Sequence, residues 1–292
     1  MFNRKTAIGS AIIGAVFAVT AGSASAQALY GTLKKIKDSG TIIIGHNEDS
    51  PPFASFGADG KPQGYSIDIC NKIAEAVKAE LKMDNLTVKY QAVNGQTRTP
   101  LLVNGTVDLV CATTTNTFSR QQQVDFLNTM FVTGNRLLVK KSSGIKEIED
   151  LKGKVVSANQ GTTNEKVLNE LNQRLNLGIK VLSTKDQPQG WIALETDRTD
   201  AHMTDEVVEY GLIAKSKNPD QYAVVGRLLS FDPYAIVIRR DDSAFRSLGN
   251  KVLANLYRNG DWEKIYTKWM STIGQPLSPD LKLLMSMQNY PD

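Results

Sequence analysis

Along this chain, short apolar runs alternate with longer stretches whose apolar residues recur every three or four positions. Residues 29–38 have helical spacing and stop at Gly40, a residue suited to the left-handed turn that closes helices. Residues 41–45 follow as an apolar strand. A polar loop then leads into residues 66–81, where Ile69, Ile73, Ala74 and Val77 share one helical face. Residues 86–93 read as a strand, Leu101 and Leu102 sit in a short helix, and 107–111 form another strand. This β-α-β alternation predicts a mainly parallel sheet with helices on both faces.

Beyond Arg120, the segment "QQQVDF" reads as the first turns of a helix, and then the pattern restarts. Strands are expected at 137–140, 154–157, 179–182 and 199–203. Helices are expected at 145–153, at "QGTTNEKVLNELNQRL" and at 190–195. After Gly226 the chain returns as a strand at 235–238 and helices at 243–259 and 261–270. Strands in both halves turn from apolar to polar as they end, as "TVDLVCATTT" and as "TDAHMTDE". Two lobes of similar build follow. Ligands in open α/β sheets bind beyond the carboxyl ends of strands, so both polar ends should face one cleft.

Composition narrows the chemistry. Residues 1–26 carry Arg4 and Lys5, an apolar stretch, and an Ala24, Ser25, Ala26 cleavage site, which together read as a secretory signal peptide. Without them the formal charge falls from +4 to +2, and no dense basic patch suggests a nucleic-acid partner. The two histidines, His46 and His202, lie far apart with no metal-ligand spacing around them. No G-x-S-x-G elbow, G-x-G-x-x-G fingerprint or P-loop is present. A metal, nucleotide cofactor or nucleophilic residue is therefore not expected. Cys70 falls on a helix and Cys111 ends a strand. One bridge is open to them after export, but the favoured reading is two unpaired small core residues.

The positive signals are polar and clustered. "CATTTNTFSR" ends a strand in hydroxyls and places Arg120 near a helix start, where the backbone dipole disfavours a cation. An anionic partner would resolve that conflict. Thr113 and Thr115 alternate and should point the same way. Arg120 offers a planar fork that suits a carboxylate. Thr162 and Thr163 stand between strand and helix, where free N–H groups bind anions, although taken alone a threonine N-cap is the favoured reading. Asp205 lies just past the second polar strand end. An arginine from one lobe and an aspartate from the other can hold a zwitterion.

These residues resemble the periplasmic amino-acid-binding proteins of ABC importers, solute-binding protein family 3. The resemblance rests on "GTIIIGHNEDSPPF", "GYSIDICNKIAEAV", "NGTVDLVCATTTNTFSRQQQVDFLNTMFVTGNRLLVKK", "IEDLKGKVVSANQGTTNE" and "DAHMTDEVV". It is nearest to the glutamate/aspartate-binding branch through "GH", "RTPLLVNGT", "TTTN" and "GNRLLVKK". It implies a type II periplasmic binding fold of two α/β lobes, 27–133 with 231–292 and 134–230, hinged by two crossing strands. It also implies that Arg120, Thr115 and the Thr163 backbone hold a ligand α-carboxylate. Asp205, Thr113 and the carbonyl near Ala112 would hold the α-ammonium. Arg98 is the cation expected for an acidic side chain. Asn47 stands where the branch has a second arginine, Gln187 where it has a histidine, and Gly95 where it has a serine. The implied protein is a periplasmic monomer that binds an acidic or amide amino acid. It would serve an inner-membrane permease with its cytoplasmic ATPase. The competing readings are a cyclohexadienyl dehydratase-like enzyme, for which Glu48 is the nominated acid or base, and a receptor feeding a sensor.

Overall fold

The computed structural model describes residues 29–290; the signal-peptide reading lies outside them. The first half runs α1 (Gly31–Ser39), β1 (Thr41–His46), the short strands β2 (Asp49–Ser50), β3 (Ala54–Phe56) and β4 (Pro62–Gln63), α2 (Tyr65–Glu80), β5 (Thr87–Ala92), α3 (Arg98–Val103), β6 (Leu109–Cys111), α4 (Phe118–Gln121) and β7 (Val124–Thr133). The chain then crosses to β8 (Asn135–Lys140), β9 (Val155–Asn159), α5 (Thr163–Arg174), β10 (Lys180–Thr184), α6 (Gln187–Glu195), β11 (Ala201–Asp205), α7 (Glu206–Lys215) and β12 (Tyr222–Val225). It returns through β13 (Asp232–Arg239), α8 (Ser243–Asn259), α9 (Asp261–Met270) and α10 (Pro279–Ser286).

The strands form two five-stranded sheets, in the orders β5-β1-β6-β13-β7 and β10-β9-β11-β8-β12. In each, the first three strands are parallel and the last two pair antiparallel. The sheets are therefore mixed, because β7 and β8 carry the chain across, β13 brings it back, and β12 folds against β8. Their register puts the site-bearing ends together. His46 lies opposite both Ala92 and Cys111, and Asn159 lies opposite Thr184. Residues 47, 93–98 and 112–115 thus leave one sheet edge, while 160–164, 185–187 and Asp205 leave the other.

Two crossings join the halves, at Gly134 and between Val225 and Asp232. A Cβ on Gly134 would lie 2.2 Å from the Ser230 carbonyl, so only glycine lets the two segments touch there. Each sheet has its own apolar core. Ile42, Ile44, Ile69, Ile73, Phe131, Tyr234 and Trp262 pack on the first. Leu137, Val156, Leu168 and Met203 pack on the second. Helix α7 links them: it follows β11 of the second sheet but buries Val207 and Val208 in the first core.

Two expectations are corrected. "QQQVDF" does not begin a helix; α4 is a single turn, and the chain is already in β7 at Val124. Val124, Phe126 and Leu127 are buried in the sheet, and tertiary burial outweighs the weak helical preference of three glutamines. Cys70 and Cys111 are paired in a disulfide. Apolar periodicity shows that both are buried. It does not show that α2 lies over β6 with their Cα atoms 6.3 Å apart across 41 residues of sequence.

Candidate functional site

A narrow cavity lies between the carboxyl ends of the two sheets. The first half contributes Asn47, Asp49, Ser50, Asn94, Gly95, Arg98 and Thr113 to its lining. The second contributes Asn159, Thr162, Thr163, Asn164, Lys185, Asp186, Gln187 and Asp205. The cavity brings together most of the residues singled out from sequence; Ala112, Thr115 and Arg120 are not among its lining.

Arg98, the first residue of α3, is buried, and its Nη1 donates to the Thr113 carbonyl at 3.2 Å and to Thr114 Oγ1 at 3.1 Å. Burial and the charge of Arg120 nearby lower its pKa to about 9. Arg120 sits at the end of the α4 turn, which is capped by Thr117, rather than at the start of a long helix. Its Nη1 donates to the Thr115 carbonyl at 2.8 Å. Burial lowers its pKa too, while the carboxylates of Asp205 and Asp232 raise it. Among the described residues neither arginine forms an ion pair, and Arg120 stands just outside the cavity wall.

Asp205 ends β11 and is buried, with Oδ1 lacking any hydrogen-bond partner. Burial and repulsion from Asp232 raise its pKa to about 7; Tyr234, Asn164 and Arg120 pull the other way. Asn47 Oδ1 is also without a partner, while the buried Tyr234 hydroxyl stands beside the Asp205 carboxyl. Buried polar atoms are nearly always satisfied in a folded protein, so Asp205 Oδ1 and Asn47 Oδ1 leave this cleft with spare acceptors.

The remaining candidates divide. Thr115 Oγ1 donates to Asp232 Oδ1 at 2.9 Å and lies 3.2 Å from Thr163 Oγ1, which joins the halves. Thr162 is the N-cap of α5, accepting from the Glu165 N–H at 3.3 Å, and also lines the cavity. Ala112 is packed among Val93, Leu102 and Val110 rather than lining the cavity. Gln187 has its side chain already engaged: Oε1 pairs with His202 Nε2 at 2.8 Å and Nε2 donates to Thr204 Oγ1 at 3.0 Å. Asn47 Nδ2 reaches the Val93 carbonyl at 3.4 Å, which leaves Oδ1 as a free acceptor. Glu48 is exposed on the outer mouth of the cleft, away from the cavity.

Sequence reasoning missed the residues behind the cleft. Asp232 is buried, takes the Thr115 hydroxyl, and receives bonds from Ser230 and Asn135. Asn135 in turn accepts from Asn164. This chain of side chains links both crossings to both sheets. The one signal for it was an aspartate, in "FDPY", opening an apolar strand. Asp49 was also missed, because it looked like one more polar residue of a long loop.

Comparison with known proteins agrees with this arrangement. The sequence matches the bacterial extracellular solute-binding proteins, family 3, over residues 42–272. It is 43% identical over 270 residues to the L-glutamate/L-aspartate-binding protein of Pseudomonas aeruginosa, covering 89% of each chain. It is 38% identical over 273 residues to the glutamate/aspartate import solute-binding protein of Escherichia coli K12, covering 91% of this chain and 90% of that one. An ancestral arginine-binding protein bound to arginine superposes with a TM-score of 0.72 at 31% identity, over 79% of this chain and 98% of that one. These relatives are named for binding, not for a reaction. With sheets, cleft and sequence in agreement, the chain belongs to the bacterial extracellular solute-binding proteins of family 3 and is a binding protein rather than an enzyme.

Proposed function

We propose that this protein captures an amino acid with an acidic or amide side chain, glutamate or aspartate foremost and glutamine or asparagine beside them. It works in the periplasm as a monomer and delivers the ligand to the membrane permease of an ABC importer. The lobes, 27–133 with 231–292 and 134–230, close on the ligand about the Gly134 and 226–231 crossings. The observation that carries the reading is a set of charges left without direct partners: the buried Arg98 and half-buried Arg120 form no ion pair among the described residues, and the buried Asp205 keeps an orphan oxygen. A ligand bearing a carboxylate and an ammonium satisfies both sides at once. The names of the two curated relatives point to the same ligand class.

In this reading Arg120 clamps the α-carboxylate with Thr115 and the Thr163 backbone. Asp205, with Thr113, takes the α-ammonium. Arg98 faces the ligand's side chain, where the free Asn47 Oδ1 accepts from an amide. Gln187 serves by holding His202 and Thr204 in place instead of touching the ligand. Calorimetry of the mature protein against the common amino acids tests the assignment. Arg120→Ala should abolish binding of every ligand, and Arg98→Ala should weaken acidic ligands at least tenfold more than amide ones. Equal losses for both classes in the Arg98 variant would remove it from the side-chain subsite.

A further inference from the structure

The two halves of the cleft also touch at its mouth. Helix α6 begins at Gln187, and its N-cap Asp186 spends its side chain on the N–H of Gln189 at 3.0 Å. The Gln187 N–H belongs to the first turn and has no intrahelical acceptor. It donates instead to Asp49 Oδ2 at 2.9 Å, on the opposite half. On its own side, Asn159 in the amide orientation that satisfies its neighbours also offers its oxygen to this N–H, at the longer distance of 3.3 Å. Asp49 forms no ion pair among the described residues; the α6 N-terminus offers it an N–H, while the Asp186 carboxylate beside it repels its charge.

The surroundings show why this bond matters. At the Gly95 contact the halves meet backbone to backbone: a Cβ on Gly95 would lie 2.4 Å from the Gln160 carbonyl. Deeper in, Thr115 and Thr163 meet at 3.2 Å beside the expected ligand groups. Asp49 lines both the cavity and its outer mouth. Its bond to α6 crosses between the halves there and requires no ligand atom.

We propose that Asp49 is a positioning residue for ligand retention, holding the two halves together across the cleft mouth through the first N–H of α6. The bond exists only when the halves are closed, so its loss speeds reopening and leaves the encounter of ligand with the open cleft unchanged. The proposal rests on the amino-acid-binding reading for its kinetic part alone.

Stopped-flow binding of glutamate and glutamine to wild type, Asp49→Asn and Asp49→Ala tests it, together with amide exchange at Gln187 followed by NMR. Asp49→Ala should raise koff about tenfold with kon within twofold of wild type. Asp49→Asn, whose amide oxygen still accepts the N–H, should fall between the two. Exchange at Gln187 should quicken in the same order, with the later amides of α6 unchanged. Equal Gln187 exchange in all three proteins, or a loss carried by kon, overturns the latch. If wild type binds no amino acid, the ligand reading fails, and the exchange order still decides for or against the latch.

Discussion

The strand β6 has a buried charge cluster at each end, and the two are built on opposite terms. Just before it, the buried Asp108 accepts from Lys35 Nζ at 2.7 Å, Arg239 Nη2 at 2.9 Å and the Ile43 N–H at 2.9 Å. Arg239 also donates to the Val107 carbonyl and Thr32 Oγ1, both at 2.7 Å. Every strong group there has a partner. Beyond the other end, Arg98 and Asp205 are buried and Arg120 half-buried, none in an ion pair among the described residues, and Asp205 Oδ1 has no hydrogen-bond partner. A closed cluster belongs to the fold. An open one is costly to leave unfilled, and it is where we propose that the ligand binds.

Breaking the closed cluster should have the largest effect on the fold. Asp108→Ala leaves two cations near an apolar site and should cost about 3–5 kcal/mol of unfolding free energy. Ligand affinity of the remaining folded protein should stay within threefold of wild type; urea unfolding and calorimetry report the two quantities separately. A large affinity loss would mean that the two ends of β6 are not independent. Next in size, replacing both cysteines with alanine removes the tie between α2 and the end of β6 that leads into the cleft. About 2–4 kcal/mol of stability should go, measured by the same unfolding curves.

The open cluster should respond with the reverse sign. Arg98→Met removes a buried, unpaired charge and keeps much of the volume, so the empty protein should gain about 1–2 kcal/mol even as acidic ligands are lost. A lower melting temperature for that variant would place Arg98 among the structural charges with Asp108.

A proton probes the same open cluster. Asp205 has its folded pKa raised to about 7, against roughly 3.9 in the unfolded chain. The empty protein therefore loses stability as pH climbs from about 4 to 7 and no more above that. An ammonium beside Asp205 favours the ionised form, so ligand binding should release a large part of a proton at pH 6 and close to none at pH 8.5. Titrations in buffers of different ionisation enthalpy measure the difference. Equal release at both pH values would sever Asp205 from the ammonium.

Much of the architecture was legible because burial imprints a period on sequence. The helices at 243–259 and 261–270 match α8 and α9, and the strand at 41–45 needed one more residue. Elements whose burial comes from distant neighbours were not legible. β7 opens behind three glutamines, and nothing local announces that β13 will cover it. The site was legible in kind: hydroxyls, an arginine and an aspartate at two polar strand ends. The resemblance to a family assigned them roles.

By itself the sequence determined that the chain has two α/β halves, which strand ends are polar, and which residue types could meet an amino acid. Those facts depend on local period and side-chain chemistry. Only the tertiary structure decided that Cys70 meets Cys111, that Gln187 is engaged by His202 and Thr204, that Asp232 ties the crossings together, and that Asp49 reaches α6. Each is a meeting of residues far apart in the chain. Such meetings depend on how the packed sheets and helices are placed, and no short stretch of sequence specifies that placement.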